Sequence, residues 1–232
     1  MIKPNPVYCA LDVKTIEEAC EIGTAIAPYV GGLKIGMEFF YSQGIKGYER
    51  IAEIGLPIFL DLKLHDIANT VAEGLRALAP LQPSIINVHT HGGFKMMQAA
   101  ASAYDALPHK PTIIGVTVLT SLDDEDLAQM GFTEGASQQA LAMAQLAHKA
   151  GLSGVVCSSH EIEIIRAACG PDFKLIVPGI RPATADHDEQ KRIMTPRQAY
   201  HLGADILVIG RPITQSKDPR ASARDIALDL EG

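Results

Sequence analysis

The sequence predicts a (β/α)8 barrel, class α/β, in a single domain over residues 1–232. Three observations carry that expectation. Short apolar, β-branched runs alternate eight times with longer segments of helical period. The runs are continuous apolar stretches rather than strict alternations, the pattern of a parallel sheet covered by helices. No Gly-x-Gly-x-x-Gly follows the first run, and eight units suit a closed barrel better than its rival, a doubly wound open sheet.

In chain order the strands are expected at 7–12, 32–35, 58–62, 84–88, 112–119, 154–158, 174–178 and 205–209. Ala- and Leu-rich segments such as 16–27, 70–78 and 138–150 supply helices between them. Gly31, Gly151 and Gly203 stand just before strands as helix stops. Thr195-Pro196 reads as an N-cap followed by proline at the first helical position. Strand starts 112 and 154 lie 42 residues apart and starts 174 and 205 lie 31 apart, against 20–28 elsewhere. The excess is an acidic stretch at 121–136 and a charged stretch at 181–195. Both follow strand C-termini, where barrel enzymes build their sites, so they read as lids or as surface insertions.

Composition narrows the function classes. The formal net charge of −7 argues against a nucleic-acid polymer as partner, because that job needs a basic surface. No apolar run approaches the roughly 18 residues of a membrane span. The apolar run 7–11 ends at Asp12, too short for a signal-peptide core. Cys9, Cys20, Cys157 and Cys169 show no Cys-x-x-Cys spacing and are expected as reduced thiols in the cytoplasm.

The most informative segment is Asp61-Leu-Lys63-Leu-His65-Asp66. Asp61 and Lys63 are two apart on the third strand, so both point to one face, which near a strand's end is the barrel mouth. Lys34 ends the second strand and Asp12 the first, so four charges converge from three neighbouring strands. Such charges are costly unless paired. They read either as a salt-bridge plug or as a preorganised electrostatic site. Flanking carboxylates favour the ammonium form of Lys63, suiting it to proton donation rather than to a Schiff base.

A second group lies near the C-terminus. Pro178-Gly-Ile-Arg-Pro182 follows the seventh strand and Ile209-Gly-Arg-Pro212 the eighth, where barrels commonly bind phosphate. Gly179 and Gly210 allow backbone N–H groups to approach an anion, and Arg211 offers a planar fork. Alone, Gly-Arg-Pro also reads as a turn with a surface arginine. His89 and His91 form a His-x-His pair that suits either metal ligation or packing. Lys34 and Lys63 on neighbouring strand ends oppose a cation there. His65, Met96, Met97 and Met143 are expected in structural roles.

These motifs together resemble the orotidine 5'-monophosphate decarboxylase family, in its bacterial-type branch. The resemblance runs from Ala10-Leu-Asp12 to Gly210-Arg-Pro. It is most specific at Asp61-Leu-Lys-Leu-His-Asp66-Ile-Ala-Asn-Thr70, Pro178-Gly-Ile-Arg-Pro182 and Arg192-Ile-Met-Thr-Pro196. It implies cofactor-independent and metal-independent loss of CO2 from orotidine 5'-phosphate to give UMP, the last step of pyrimidine nucleotide synthesis. It further implies that Lys63 protonates C6 and that Lys34, Asp61 and Lys63 form an alternating charge array. Asp66 would complete the array in the neighbouring subunit's site, with Ile67 and Thr70, in a homodimer. Asp12 and Lys34 would hold the ribose and Thr120 would lie by the pyrimidine. Arg181, Gln190, Gly210 and Arg211 would hold the phosphate side. The loop 183–189 matches the pattern only loosely.

Two other readings compete. One is a Mg-dependent sugar-phosphate decarboxylase or aldolase of the same superfamily, which shares the Asp-x-Lys-x-x-Asp core. The other is a nucleotide-phosphate binding protein without catalysis, which has no need of Lys34, Asp61, Lys63 and Asp66 together.

Overall fold

The computed structural model describes residues 5–181 and 194–231. In chain order the first half forms β1 (Val7–Ala10), α1 (Ile16–Ile26), β2 (Gly32–Gly36), α2 (Met37–Ala52), β3 (Ile58–Leu64), α3 (Ala68–Leu78), β4 (Ile85–His89) and α4 (Gly93–Ala101). The second half adds β5 (Thr112–Val116), α5 (Asp124–Gln129), α6 (Ala136–Lys149), β6 (Gly154–Val156) and α7 (Ile162–Cys169). It ends with β7 (Lys174–Pro178), α8 (Pro196–His201), β8 (Ile206–Ile209), α9 (Arg211–Thr214) and α10 (Pro219–Glu231). The eight strands are parallel and pair in sequence order, and β8 closes onto β1 through Val7 opposite Leu207. This is the expected (β/α)8 barrel.

The strands are apolar on both faces because both faces are covered. One set of side chains fills the barrel interior: Phe59, Ile85, Ile114 and Ile176, packed with Tyr8 and Ile206. The alternate set, including Leu33, Leu60, Ile86 and Leu207, packs outward against buried helix residues such as Ile26, Phe39, Leu75 and Ile165. Burying each such side chain stabilises the fold by about 1.5–3 kcal/mol. The interior layer is therefore an apolar floor. The next inward positions along β2, β3 and β4 are Lys34, Asp61 and Asn87, which stand above it.

The strand ends differ from expectation where side chains leave the ladder. β1 stops at Ala10, so Asp12 lies just beyond the strand rather than ending it. β5 stops at Val116 rather than at 119. The hydroxyl of Thr117 donates to the Val156 carbonyl at 2.8 Å, and Val118 turns outward into a small cluster with Leu127, Ala140 and Met143. The acidic stretch after β5 is thus a folded cap with its own core. Its carboxylates terminate helices: Asp123 caps α5 in a reciprocal box with Asp126, and Asp124 accepts the Ala136 N–H at 2.8 Å.

Thr195 caps α8 through a similar box with Gln198, with Pro196 at the first position, as the sequence indicates. Gly151 and Gly203 take left-handed φ of 88° and 109° after their helices. Gly31 serves another purpose. The chain after α1 makes a short 3-10 turn, and a Cβ at Gly31 would lie 1.9 Å from the Asn5 carbonyl oxygen.

Candidate active site

Four charges form one row across the barrel mouth. The Lys34 ammonium lies 2.8 Å from Asp12 Oδ1 and 3.8 Å from Asp61 Oδ2. The Lys63 ammonium lies 2.7 Å from Asp61 Oδ1. The order is therefore Asp12, Lys34, Asp61, Lys63, alternating in sign. Exposure is uneven along it: the Lys34 and Asp61 side chains are 8% and 14% exposed, those of Lys63 and Asp12 25% and 50%. The row is most buried at its centre. Removing one partner there leaves an uncompensated buried charge, at a cost of about 3–5 kcal/mol.

Asp61 and Lys63 come together by a route other than a regular pleat. Leu60 pairs with Ile86 and Leu64 with Val88, so β3 takes four steps while β4 takes two. The excess residues bulge. Within the bulge Lys63 adopts φ of 52°, a left-handed conformation that residues with side chains seldom hold. Opposite it stands Asn87, fully buried, whose Oδ1 accepts the Lys63 N–H at 2.7 Å and whose Nδ2 donates to Asp61 Oδ1 at 2.6 Å. Asn87 is absent from the sequence-derived site. Its signal there was a single amide inside the apolar run Ile85-Ile-Asn-Val88.

The ends of β3 and β4 carry three contacting imidazoles. His65 and His89 have ring centroids 5.7 Å apart, and His89 and His91 6.0 Å. His91 meets the edge of Phe132, from the cap after β5, at 5.8 Å. Burial, then the neighbouring imidazoles and the Lys63 charge, lower the pKa of His89 to about 4. Burial and His65 lower that of His91. Both are neutral packing groups at neutral pH. The magnesium ion of the sugar-phosphate alternative does not fit these residues. Both oxygens of Asp61 already face ammonium groups, and among the described residues no three His, Cys, Asp or Glu side chains converge as a ligand set.

A cleft of about 250 Å³ opens beside the charged row. Its lining includes Asp12, Lys34 and Asp61 together with Arg181, Gly210 and Arg211. Gly179, with φ of 75°, turns the chain after β7 so that Arg181 is buried, 8% exposed, at the cleft wall. Gly210 caps α9 and lets β8 pass close to β1, since a Cβ there would lie 3.3 Å from the Ala10 Cβ. The cleft thus combines carboxylate and ammonium groups with two arginines, a lining that suits a phosphorylated ligand.

Not every sequence-derived residue gathers there. Asp66, Ile67 and Thr70 are exposed on the turn after β3 and the start of α3, and Asp66 Oδ1 accepts the Ile67 N–H at 2.7 Å. Thr120 is exposed in the turn before α5. None of these four is among the residues lining the cleft, and neither is Lys63, whose ammonium is paired with Asp61 at the cleft wall. Gln190 and the loop 183–189 lie outside the described residues.

The sequence profile of the Orotidine 5'-phosphate decarboxylase / HUMPS family matches residues 5–226. The chain belongs to this family. Its curated relatives in the family include the orotidine 5'-phosphate decarboxylase of Rhodospirillum rubrum, 47% identical over 98% of this chain and 95% of that protein. Another is the orotidine 5'-phosphate decarboxylase of Sphingopyxis alaskensis, 48% identical over 97% of this chain and 99% of that one. Among solved structures, the orotidine 5'-phosphate decarboxylase from Lactobacillus acidophilus superposes with a TM-score of 0.86 at 35% identity, covering 98% of this chain and 100% of its own. An uncharacterized conserved protein from Geobacillus kaustophilus gives a TM-score of 0.83 at 33% identity, over 97% and 100%.

Proposed function

We infer that this chain decarboxylates orotidine 5'-phosphate to UMP and CO2, the last step of de novo pyrimidine nucleotide synthesis. The observation that carries the reading is the alternating Asp12–Lys34–Asp61–Lys63 row beside an arginine-lined cleft. Near-full-length likeness to orotidine 5'-phosphate decarboxylases supports it.

The chemistry follows from the charges. The bond between C6 and the carboxylate carbon breaks, and its electron pair remains on C6, an sp2 carbon with little resonance relief. CO2 departs. A fixed ammonium at C6 stabilises the developing charge electrostatically, and the Lys63 ammonium then delivers its proton to C6. Solvent restores the proton to Lys63. Asp61, beside the departing carboxylate, disfavours the bound substrate relative to the neutral product. Asp12 and Lys34 hold the ribose. Arg181, Gln190, Gly210 and Arg211 hold the phosphate, far from C6, and their binding energy closes the site and excludes water. Thr120 contacts the pyrimidine. No cofactor is required.

The working unit in this reading is a homodimer. Asp66, Ile67 and Thr70 enter the partner's site, where Asp66 extends the charged row. Three features support this. Asp66 takes no part in its own subunit's row, and Ile67 is 73% exposed. Met37 and Tyr41 on the first part of α2, and Ile45 just past its break at Gly44, are also exposed apolar groups. A cytoplasmic location accords with free cysteines, two of which, Cys9 and Cys157, are wholly buried thiols.

The deciding measurement is the loss of absorbance as orotidine 5'-phosphate becomes UMP, with and without a chelator. Turnover that persists after full chelation is expected. Turnover that collapses on metal removal would favour the magnesium-dependent alternative.

A further inference from the structure

Asn87 is a wholly buried amide among the apolar Ile85, Ile86 and Val88 of β4. A buried amide is costly unless both its ends are bonded. Both ends of Asn87 go to the β3 bulge: the oxygen to the Lys63 N–H, the nitrogen to Asp61 Oδ1. That same Asp61 oxygen receives the Lys63 ammonium at 2.7 Å. Asn87, Asp61 and Lys63 therefore close a ring that includes the Lys63 backbone, its side chain and the carboxylate.

The ladder explains the need for such a group. With Leu60 opposite Ile86 and Leu64 opposite Val88, three residues of β3 face Asn87 alone. The Lys63 N–H is met there by a side chain, the Asn87 Oδ1 at 2.7 Å. Its left-handed φ of 52° persists only if the surroundings over-determine it. The Asn87 side chain takes the part that a β4 carbonyl plays in a regular sheet. Asp61 lines the cleft while Asn87 does not, so Asn87 acts through its bonds to the Asp61 carboxylate and the Lys63 backbone.

We propose that Asn87 is a positioning residue for the decarboxylation, fixing the strained Lys63 backbone and the Asp61 carboxylate so that the Lys63 ammonium is aimed at C6. The inference rests on the functional reading above. Asparagine suits the task because it offers an acceptor and a donor at one length. Aspartate keeps the acceptor but sets a second anion against Asp61. Alanine supplies neither group.

The test compares the unchanged chain with Asn87→Ala and Asn87→Asp for turnover of orotidine 5'-phosphate, binding of UMP and circular dichroism. In Asn87→Ala, kcat is expected to fall about 10²-fold, as a misaimed catalytic group does. UMP affinity should change by less than about threefold, because the phosphate and ribose contacts are untouched. Asn87→Asp is nearly isosteric and keeps the acceptor for the Lys63 N–H, so it serves if the alanine variant fails to fold. Two carboxylates in contact raise one another's pKa, so its kcat should lose activity at higher pH than the unchanged chain, by about one unit or more. A folded Asn87→Asp chain with kcat within about threefold of the original and an unmoved acidic limb overturns the inference. So does a loss of UMP affinity as large as the loss of kcat, which marks general damage. An unchanged chain inactive on orotidine 5'-phosphate overturns the functional reading, and this inference with it.

Discussion

A Cβ placed on Gly36 would lie 2.8 Å from the Lys34 ammonium nitrogen, and 2.9 Å from Asp12 Oδ1. Gly36 ends β2 with ordinary backbone angles, φ −88° and ψ 178°, so its lack of a side chain answers to the ion pair and not to the chain path. The intruding methyl would meet the flexible end of a lysine. Gly36→Ala should therefore fold with a near-normal Tm yet displace Lys34 and weaken UMP binding. Calorimetric titration with UMP beside a thermal melt checks this. Equal damage to both would assign Gly36 to the fold.

Arg211 sits at the start of α9, exposed at the cleft wall. Arg211→Ala should weaken UMP binding by about 2 kcal/mol, the loss of one charge-assisted pair. It should leave uridine binding almost unchanged. Kd values for the two ligands on both proteins decide the matter. An equal loss for uridine would remove Arg211 from the phosphate site.

Lys63→Ala should retain UMP binding while turnover falls by many orders of magnitude. Asp66→Ala should be severely impaired as well. If each site combines Lys63 of one subunit with Asp66 of the other, mixing the two variants restores one intact site per heterodimer. Recovered turnover after mixing, followed by absorbance, is the expected result. Mixtures no more active than their parents would place both residues in one subunit's site.

His89 has its pKa lowered from 6.5 to about 4 by burial, by its imidazole neighbours and by Lys63. The unfolded chain binds the proton more readily than the folded one between these values. Stability is thus full above pH 6.5, declines as pH falls toward about 4, and levels below that. His89→Gln should flatten the decline across this window. Urea melts at a series of pH values provide the check.

Much of the barrel is legible in the sequence because parallel strands buried on both faces leave continuous apolar runs. Lys174–Pro178 is bounded as expected. The run after Thr112 misleads, because Val118 is apolar for a different reason: it packs into the cap rather than the sheet. The charges of the site were legible too, since Asp12, Lys34, Asp61 and Lys63 stand where an apolar strand should continue. Their mode of support was not. Nothing in Leu-Lys-Leu announces a left-handed lysine, and an asparagine in an apolar run reads as an interruption. The bulge depends on a strand some two dozen residues away in sequence, a relation that local pattern does not carry. The acidic stretch read as loop because its carboxylates look like charge for solvent, whereas Asp123 and Asp124 bond to backbone N–H groups.

The seam between β1 and β8 divides the cleft, with Asp12 just past one strand and Gly210 just past the other. These residues lie at opposite ends of the chain and meet only once the barrel has closed. Contacts of such long sequence separation form late and slowly. A ligand spanning the seam binds the closed form alone, so it acts as a clasp. The ratio of folded to unfolded chain then rises with free ligand as one plus the ratio of ligand concentration to Kd. Nucleotide supply would in this way tune how long the barrel survives as well as how fast it works.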